Sequence, residues 1–207
     1  PARHRVRRPM RNAPRDRAKL TFQAATADRW DAVKALFGER GACAGCWCMY
    51  WRRGAKQYTA GKGAGNRAAF RRIVKRGDEP GVLAYADGEP VGWCAVAPRD
   101  DYPRLDNSRV LAPLDDAPVW SISCLFVARP WRRQGISEKL IEAAVAHARS
   151  KGAKVVEGYP VDPKGPQPDA FVWTGLASAY ERAGFREAAR RSATRPVMRR
   201  KISPRRK

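Results

Sequence analysis

The sequence predicts an α/β domain built on a mixed sheet, and three observations predict it. Residues 119–128, VWSISCLFVA, are a nearly continuous apolar run, the pattern of a central strand buried on both faces. An amphipathic helix at 137–150 and another strand at 153–160 follow it, the order of a parallel strand–helix–strand unit. Residues 81–98 place two strand runs around Asp87-Gly88, a strong two-residue hairpin signal, so part of the sheet is antiparallel.

The other elements follow in chain order. LTFQAA (20–25) reads as a first strand with some alternation. In 26–38, Trp30, Val33 and Phe37 share one helical face, Thr26 or Asp28 can cap the start, and Gly38 stops it. Residues 39–65 are rich in Gly and Cys and read as irregular. Phe70 and Val74, four apart, make 66–77 a short amphipathic helix ended by Gly77. The Pro- and Asp-rich stretch 98–118 reads as a long loop, a kind of segment that often carries function. The helix at 137–150 has the stripe Leu140, Ile141, Ala144, Val145 and Ala148, with His147 beside it as a partly buried structural histidine. After a loop at 161–168, TGLASAYERAGF (174–185) is a short helix with Leu176, Tyr180 and Ala183 on one face, and RPVMRRKI (195–202) is a last strand.

The 207 residues suit one domain with tails. The formal net charge of +22 is uneven. Residues 1–19 carry eight Lys/Arg against Asp16, and residues 186–207 carry ten against Glu187. We expect a disordered basic extension at 1–19, a single domain at 20–202 and a basic tail at 203–207. Such tails can contact nucleic acid or simply be solvated. No apolar run is long enough for a membrane span, no secretory segment precedes the first strand, and the five cysteines are not a disulfide framework. A cytoplasmic protein, monomeric or homodimeric, is expected.

Between the buried strand and the long helix stands RPWRRQGISEKL (129–140). The first N–H groups of a helix lack intrahelical partners, and the helix dipole favours an anion there. Gly135 lets backbone approach a ligand, and Arg132 and Arg133 can bond phosphate oxygens. The stretch is neither a Walker loop nor a dinucleotide fingerprint. On its residues alone it fits a helix start with exposed arginines as well as a phosphate cradle.

The run SISCLFVARPWRRQGISEKLIEAAVAHARSKGAKVVEGYPVD resembles the core of GNAT-type N-acetyltransferases. Their strand, Arg/Gln-x-x-Gly-x-Gly/Ala loop and long helix are matched at Arg132–Ser137, with Ser137 where Gly or Ala is usual. YERAGF (180–185) resembles the family's Tyr-x-x-x-Gly-Phe ending, and residues 20–202 follow its element order. The resemblance implies a mostly antiparallel sheet with helices on both faces and one parallel strand pair, 122–127 and 154–159, that splays apart. It implies acetyl-CoA as co-substrate. Backbone amides of Arg132, Arg133, Gln134, Gly135, Ile136 and Ser137 would hold its pyrophosphate. Leu125, Phe126 and Val127 would pair with the pantetheine arm and polarise the thioester carbonyl. Tyr180 takes the place of the acid that protonates the leaving thiolate.

The base is read from position: Glu157, in the strand opposite the cofactor strand, acts directly or through water. Asp100, Asp101, Asp115 and Asp116 read as surface carboxylates. Cys43, Cys46 and Cys48 offer three clustered thiols where structural zinc takes four ligands, so no metal is expected. Their segment, CWCMYW, instead reads as an acceptor lining through Trp47, Tyr50 and Trp51, suited to an apolar or cationic group. A reactive Cys48 beside Arg52 and Arg53 is a further reading. GCWCMYWR also resembles segments in a subset of GNAT-like proteins. The function expected is direct transfer of the acetyl group to a primary amine of a small molecule or a peptide. The alternatives are a toxin-like acetyltransferase acting on aminoacyl-tRNA and a non-catalytic module binding CoA or nucleic acid.

Overall fold

Alternating strand patterns and one continuous apolar strand assemble into a seven-stranded mixed sheet in the computed structural model, which describes residues 18–168 and 171–202. The expected extension at 1–19 (apart from Ala18 and Lys19) and the tail at 203–207 lie outside those residues. The strands are β1 (Leu20–Ala24), β2 (Gly81–Ala86), β3 (Glu89–Pro98), β4 (Trp120–Val127), β5 (Val155–Gly158), β6 (Arg186–Arg190) and β7 (Pro196–Lys201). Their spatial order is β1-β2-β3-β4-β5-β7-β6. Only the β4–β5 pair is parallel. The helices are α1 (Trp30–Phe37), α2 (Ala55–Ala60), α3 (Ala64–Arg76), α4 (Pro103–Asp106), α5 (Ile136–Ser150) and α6 (Ala177–Arg182).

The expected mixed, mostly antiparallel sheet with one parallel pair is present, with four differences of detail. The helix expected at 26–38 is a 3-10 turn at Ala27–Arg29 running into α1. The stretch 39–65 contains α2, and the loop 98–118 contains α4. β6 has no strand pattern in sequence: REAAR is exposed on nearly every residue and is held by its ladder with β7.

Two cores flank the sheet. On one face the stripe of α5 (Leu140, Ile141, Ala144, Val145, Ala148) packs on Val82, Ala84, Cys94, Val96, Ile122 and Leu125. On the other, Trp30, Val33 and Phe37 of α1 and Phe70 and Val74 of α3 pack on Leu83, Trp93 and Ala95. His147 sits edge-on to Trp120 at 6.1 Å, and its Nε2 lies 3.2 Å from the Glu79 carbonyl oxygen. No helix among the described residues is long and apolar enough to cross a membrane.

β4 carries a bulge. Cys124 opposes Ala95 and Ile122 opposes Val96, so Ser123 has no partner across the ladder. A bulge adds twist and bends its strand, and here the bend comes where β4 leaves β5. β4 pairs with β5 only at Trp120, Ser121 and Ile122, opposite Val156, Glu157 and Gly158.

Two predictions follow from the packing. A Cβ at Gly81 would lie 2.3 Å from the Cys94 carbonyl oxygen and 2.5 Å from the Trp93 ring. A ladder carbonyl cannot step aside, so Gly81→Ala is expected to destabilise by about 1–3 kcal/mol in chemical denaturation. Burial pushes the His147 imidazole below its ordinary 6.5, against the opposing pull of Glu79 and with the help of Lys151. The unfolded chain therefore takes up this proton first, and stability falls as pH drops through about 6.5 toward the folded value. Denaturation midpoints for His147→Gln should show a flatter slope over that window.

Candidate functional site

The end of β4 and the start of α5 are joined by a loop whose backbone the sequence bends twice. A 3-10 turn at Arg129–Trp131 is followed by Arg133 at φ 61° and Gly135 at φ 73°, with helix from Ile136. A Cβ at Gly135 would meet nothing within 4 Å, so glycine answers the left-handed φ there rather than a crowded neighbour. Arg132 Nε donates to the Val127 carbonyl at 2.9 Å and ties the loop to the strand end. Gln134 folds its side-chain amide back onto the Pro130 carbonyl at 3.1 Å. Arg133 is exposed.

A groove of about 420 Å³ opens at this junction. Leu125, Phe126, Val127 and Trp131 line one side. Arg132, Arg133, Gly135, Ile136 and Ser137 stand at the helix end, and Val172, Trp173, Gly175 and Leu176 stand opposite. The structure thus brings together every expected cofactor residue except Gln134 on one surface. An apolar trough leading to a helix N-terminus with guanidinium groups can hold a ligand with an apolar arm and an anionic end.

The opposite wall was not legible in the sequence. Beyond Ile122, β4's neighbour is the segment before α6: the Leu125 amide donates to the Trp173 carbonyl at 2.7 Å. That segment is itself fixed where Val161 bridges Leu176. The expectation that the Leu125 amide stands open to polarise a carbonyl is therefore corrected, because Trp173 already takes its hydrogen.

Tyr180 is fully buried at the inner end of this wall and does not line the groove. Its hydroxyl donates to the Thr174 carbonyl at 3.1 Å, and its ring stands edge-on to Phe185 at 5.1 Å. Gly158 and Gly175 leave the space for that ring: a Cβ would come within 2.0 Å of it at the first and 2.9 Å at the second. Burial holds the phenol well above its ordinary value, so it stays protonated.

Glu157 is only 1% exposed and belongs to an ion network. Arg199 Nε donates to its Oε1 at 2.6 Å, while Tyr159 at 2.8 Å and Arg99 at 3.4 Å donate to its Oε2. Arg99 also donates to Asp106, Tyr159 and the Leu111 carbonyl, and Arg199 reaches Asp115. A carboxylate with both oxygens committed to guanidinium groups is a structural anion, which corrects the reading of Glu157 as the base. Asp115 and Asp101 are likewise engaged, by Arg199 and Arg52.

The aromatic segment divides. Trp47 is 1% exposed and packs against Trp30 and Phe37 at 6.0 and 5.7 Å, so it is core and not an acceptor lining. Tyr50 and Trp51 are half-buried and join Tyr58 and Trp173, with the Tyr50 ring 4.9 Å from Trp51, 5.4 Å from Tyr58 and 5.3 Å from Trp173. The Arg104 guanidinium lies 3.9 Å over the Tyr50 ring. Among the described residues no three His, Cys, Asp or Glu side chains are grouped to hold a metal ion.

Residues 45–163, which contain β4, the loop and α5, match the sequence profile of the Acetyltransferase (GNAT) family. The chain belongs to the GNAT family. An uncharacterised N-acetyltransferase of Methanocaldococcus jannaschii is 24% identical over 140 residues, which is 65% of this chain and 51% of that protein. The chain spans about half the length of this curated relative. Among solved structures, a GNAT acetyltransferase of Listeria monocytogenes superposes with a TM-score of 0.54 at 10% identity, covering 88% of this chain and 95% of that one. An N-acetyltransferase of Staphylococcus aureus gives 0.51 at 13% identity, with 90% and 99% covered. An aminoglycoside acetyltransferase solved with coenzyme A gives 0.50 at 15%, with 88% and 95% covered. At these identities the superpositions establish that the GNAT fold is shared.

The ion network yields a test that separates a structural Glu157 from a catalytic one. Glu157→Gln leaves Arg99 and Arg199 with one carboxylate each, and a loss of about 3 kcal/mol in urea denaturation is expected. A base would instead show unchanged stability with a lost acidic limb in the rate profile.

Proposed function

We propose that this GNAT protein transfers the acetyl group of acetyl-CoA to a primary amine of a small molecule or peptide. The observation that carries the reading is the groove: an apolar trough beside the last residues of β4 that ends at the N-terminus of α5. Its parts fit the co-substrate. The first amides of α5 and the Arg133 guanidinium suit a pyrophosphate, and Leu125, Phe126, Val127 and Trp131 suit an apolar arm. Acetyl-CoA supplies an acyl group activated as a thioester.

The chain's own residues bind, orient and move protons. The trough excludes water along the arm, and the left-handed turns at Arg133 and Gly135 aim successive amides at the anion. The resemblance assigns Tyr180 as the acid for the departing sulfur. Burial retains its proton, and its hydroxyl reaches that sulfur only once it leaves the Thr174 carbonyl, because the ring lies behind the groove lining. The acceptor enters from the side of Trp173, which lines the groove and stacks beside Tyr50 and Trp51, while the Tyr50 face is already taken by the Arg104 guanidinium. The amine surrenders its proton to solvent, since Glu157 is committed to its arginines.

Acetyl-CoA is expected to raise the melting temperature of the purified chain, and calorimetry should detect one site; no binding by either method refutes the co-substrate. Arg133→Ala should weaken CoA roughly tenfold without loss of stability. Tyr180→Phe should lower turnover in a thiol-release assay with a panel of amines by roughly 100-fold while CoA affinity is kept.

A further inference from the structure

The turn between β6 and β7 brings a second cation to the aromatic wall. Arg195 is half-buried, and its one hydrogen bond among the described residues runs from Nη1 to the Thr174 hydroxyl at 3.0 Å. The half-buried arginines of β7 are better matched: Arg199 holds Glu157 and Asp115, and Arg200 donates to the Ala183 carbonyl at 2.6 Å. A guanidinium carries five N–H donors, and taking it out of water without an anion is costly. Burial accordingly pulls the Arg195 guanidinium below its ordinary value, against a weaker upward pull from Tyr50.

The cluster around Arg195 is short of hydrogen-bond acceptors. The Arg104 guanidinium already covers the Tyr50 ring, and its Nη1 donates to the Tyr50 carbonyl at 3.0 Å. The Trp51 indole N–H is buried without a hydrogen-bond partner, and its ring lies 5.9 Å from Trp173. Asp101, in the turn before α4, is taken by Arg52 at 2.9 Å. No carboxylate among the described residues pairs with Arg104 or Arg195. A polycationic ligand meets two like charges here, whereas a carboxylate meets an unmatched planar fork.

Thr174 ties this cation to the groove. Its hydroxyl takes Arg195, its carbonyl takes Tyr180, and Trp173 just before it lines the groove. We propose that Arg195 forms a carboxylate-binding subsite for the acceptor, so that the amine receiving the acetyl group belongs to an amino acid or a peptide with a free carboxylate. The inference rests on the acetyl-transfer reading and narrows its acceptor. Arg195 binds the carboxylate through the N–H groups that Thr174 leaves over, and Arg104 and Arg195 together disfavour polyamines and other polycations.

The test compares ligands that differ in the carboxylate alone. Alanine and alaninamide, and alanylalanine and its amide, are given with acetyl-CoA to the full chain in a thiol-release assay, which also separates amino acid from peptide. The preferred carboxylate substrate should exceed its amide roughly tenfold in kcat/KM, and Arg195→Ala should bring it down to the level of that amide. Arg195→Lys, which keeps the charge without the fork, should retain part of the preference. A second arm needs no turnover: N-acetylalanine and N-acetylalaninamide are titrated into the chain by calorimetry, with and without CoA, and the carboxylate should bind roughly tenfold more tightly. A carboxylate ligand that binds no better than its amide overturns the proposal, as does a preference that Arg195→Ala leaves intact or a faster turnover of spermidine. A chain that binds no acetyl-CoA refutes the transfer reading instead, and the titration without CoA then decides the subsite. The wild-type comparison of carboxylate and amide holds even if Arg195→Ala fails to fold.

Discussion

A strand in a protein interior has to satisfy its backbone on both sides, and β4 loses its parallel neighbour after three residue pairs. Everything at the site depends on how that deficit is met. The bulge at Ser123 turns the strand away from β5. The end of β4 then leads straight into the loop and α5, so the last residues of the strand and a helix N-terminus face one trough. The apolar stripe of α5 on β2, β3 and β4 holds the helix rigidly against the sheet, and the position of its first amides follows from that packing.

The closed end of the fork is held differently. Glu157 on β5 sits between Arg199 from β7 and Arg99 from the turn after β3, with Tyr159 and Ser121 completing the hydrogen bonds. A buried carboxylate is tolerated because two cations and a hydroxyl surround it. The network fastens β5 to β7 and to the long loop at the level where β4 and β5 still pair. One end of the strand pair is locked by charge, and the other is filled by the segment before α6, which borders the groove.

Much of this was legible in sequence, and the remainder was not for identifiable reasons. The run 119–128, the hairpin around Asp87-Gly88 and the stripe of α5 announce themselves because burial imposes a period on the residues. β6 does not, since an exposed edge strand held by its ladder needs no apolar pattern. The loop from Arg132 to Ser137 was readable as a helix start and gained a ligand only from the resemblance. Trp47 looked like its neighbours Tyr50 and Trp51, yet its contacts with Trp30 and Phe37 place it in the core. Glu157 looked like a free carboxylate because Arg99 and Arg199 lie 58 and 42 residues away, and no local pattern signals such a meeting. Trp173 left no mark because it acts through its backbone carbonyl.

That carbonyl sets a threshold for the whole site. The Leu125 amide is already satisfied within the chain, so a ligand pairing there exchanges one hydrogen bond for another instead of gaining one. Affinity measured for such a ligand is then the intrinsic affinity scaled by the fraction of molecules in which the wall has withdrawn. Substitutions remote from the groove that loosen the Val161–Leu176 bridge act on that fraction, and so shift binding without touching the ligand.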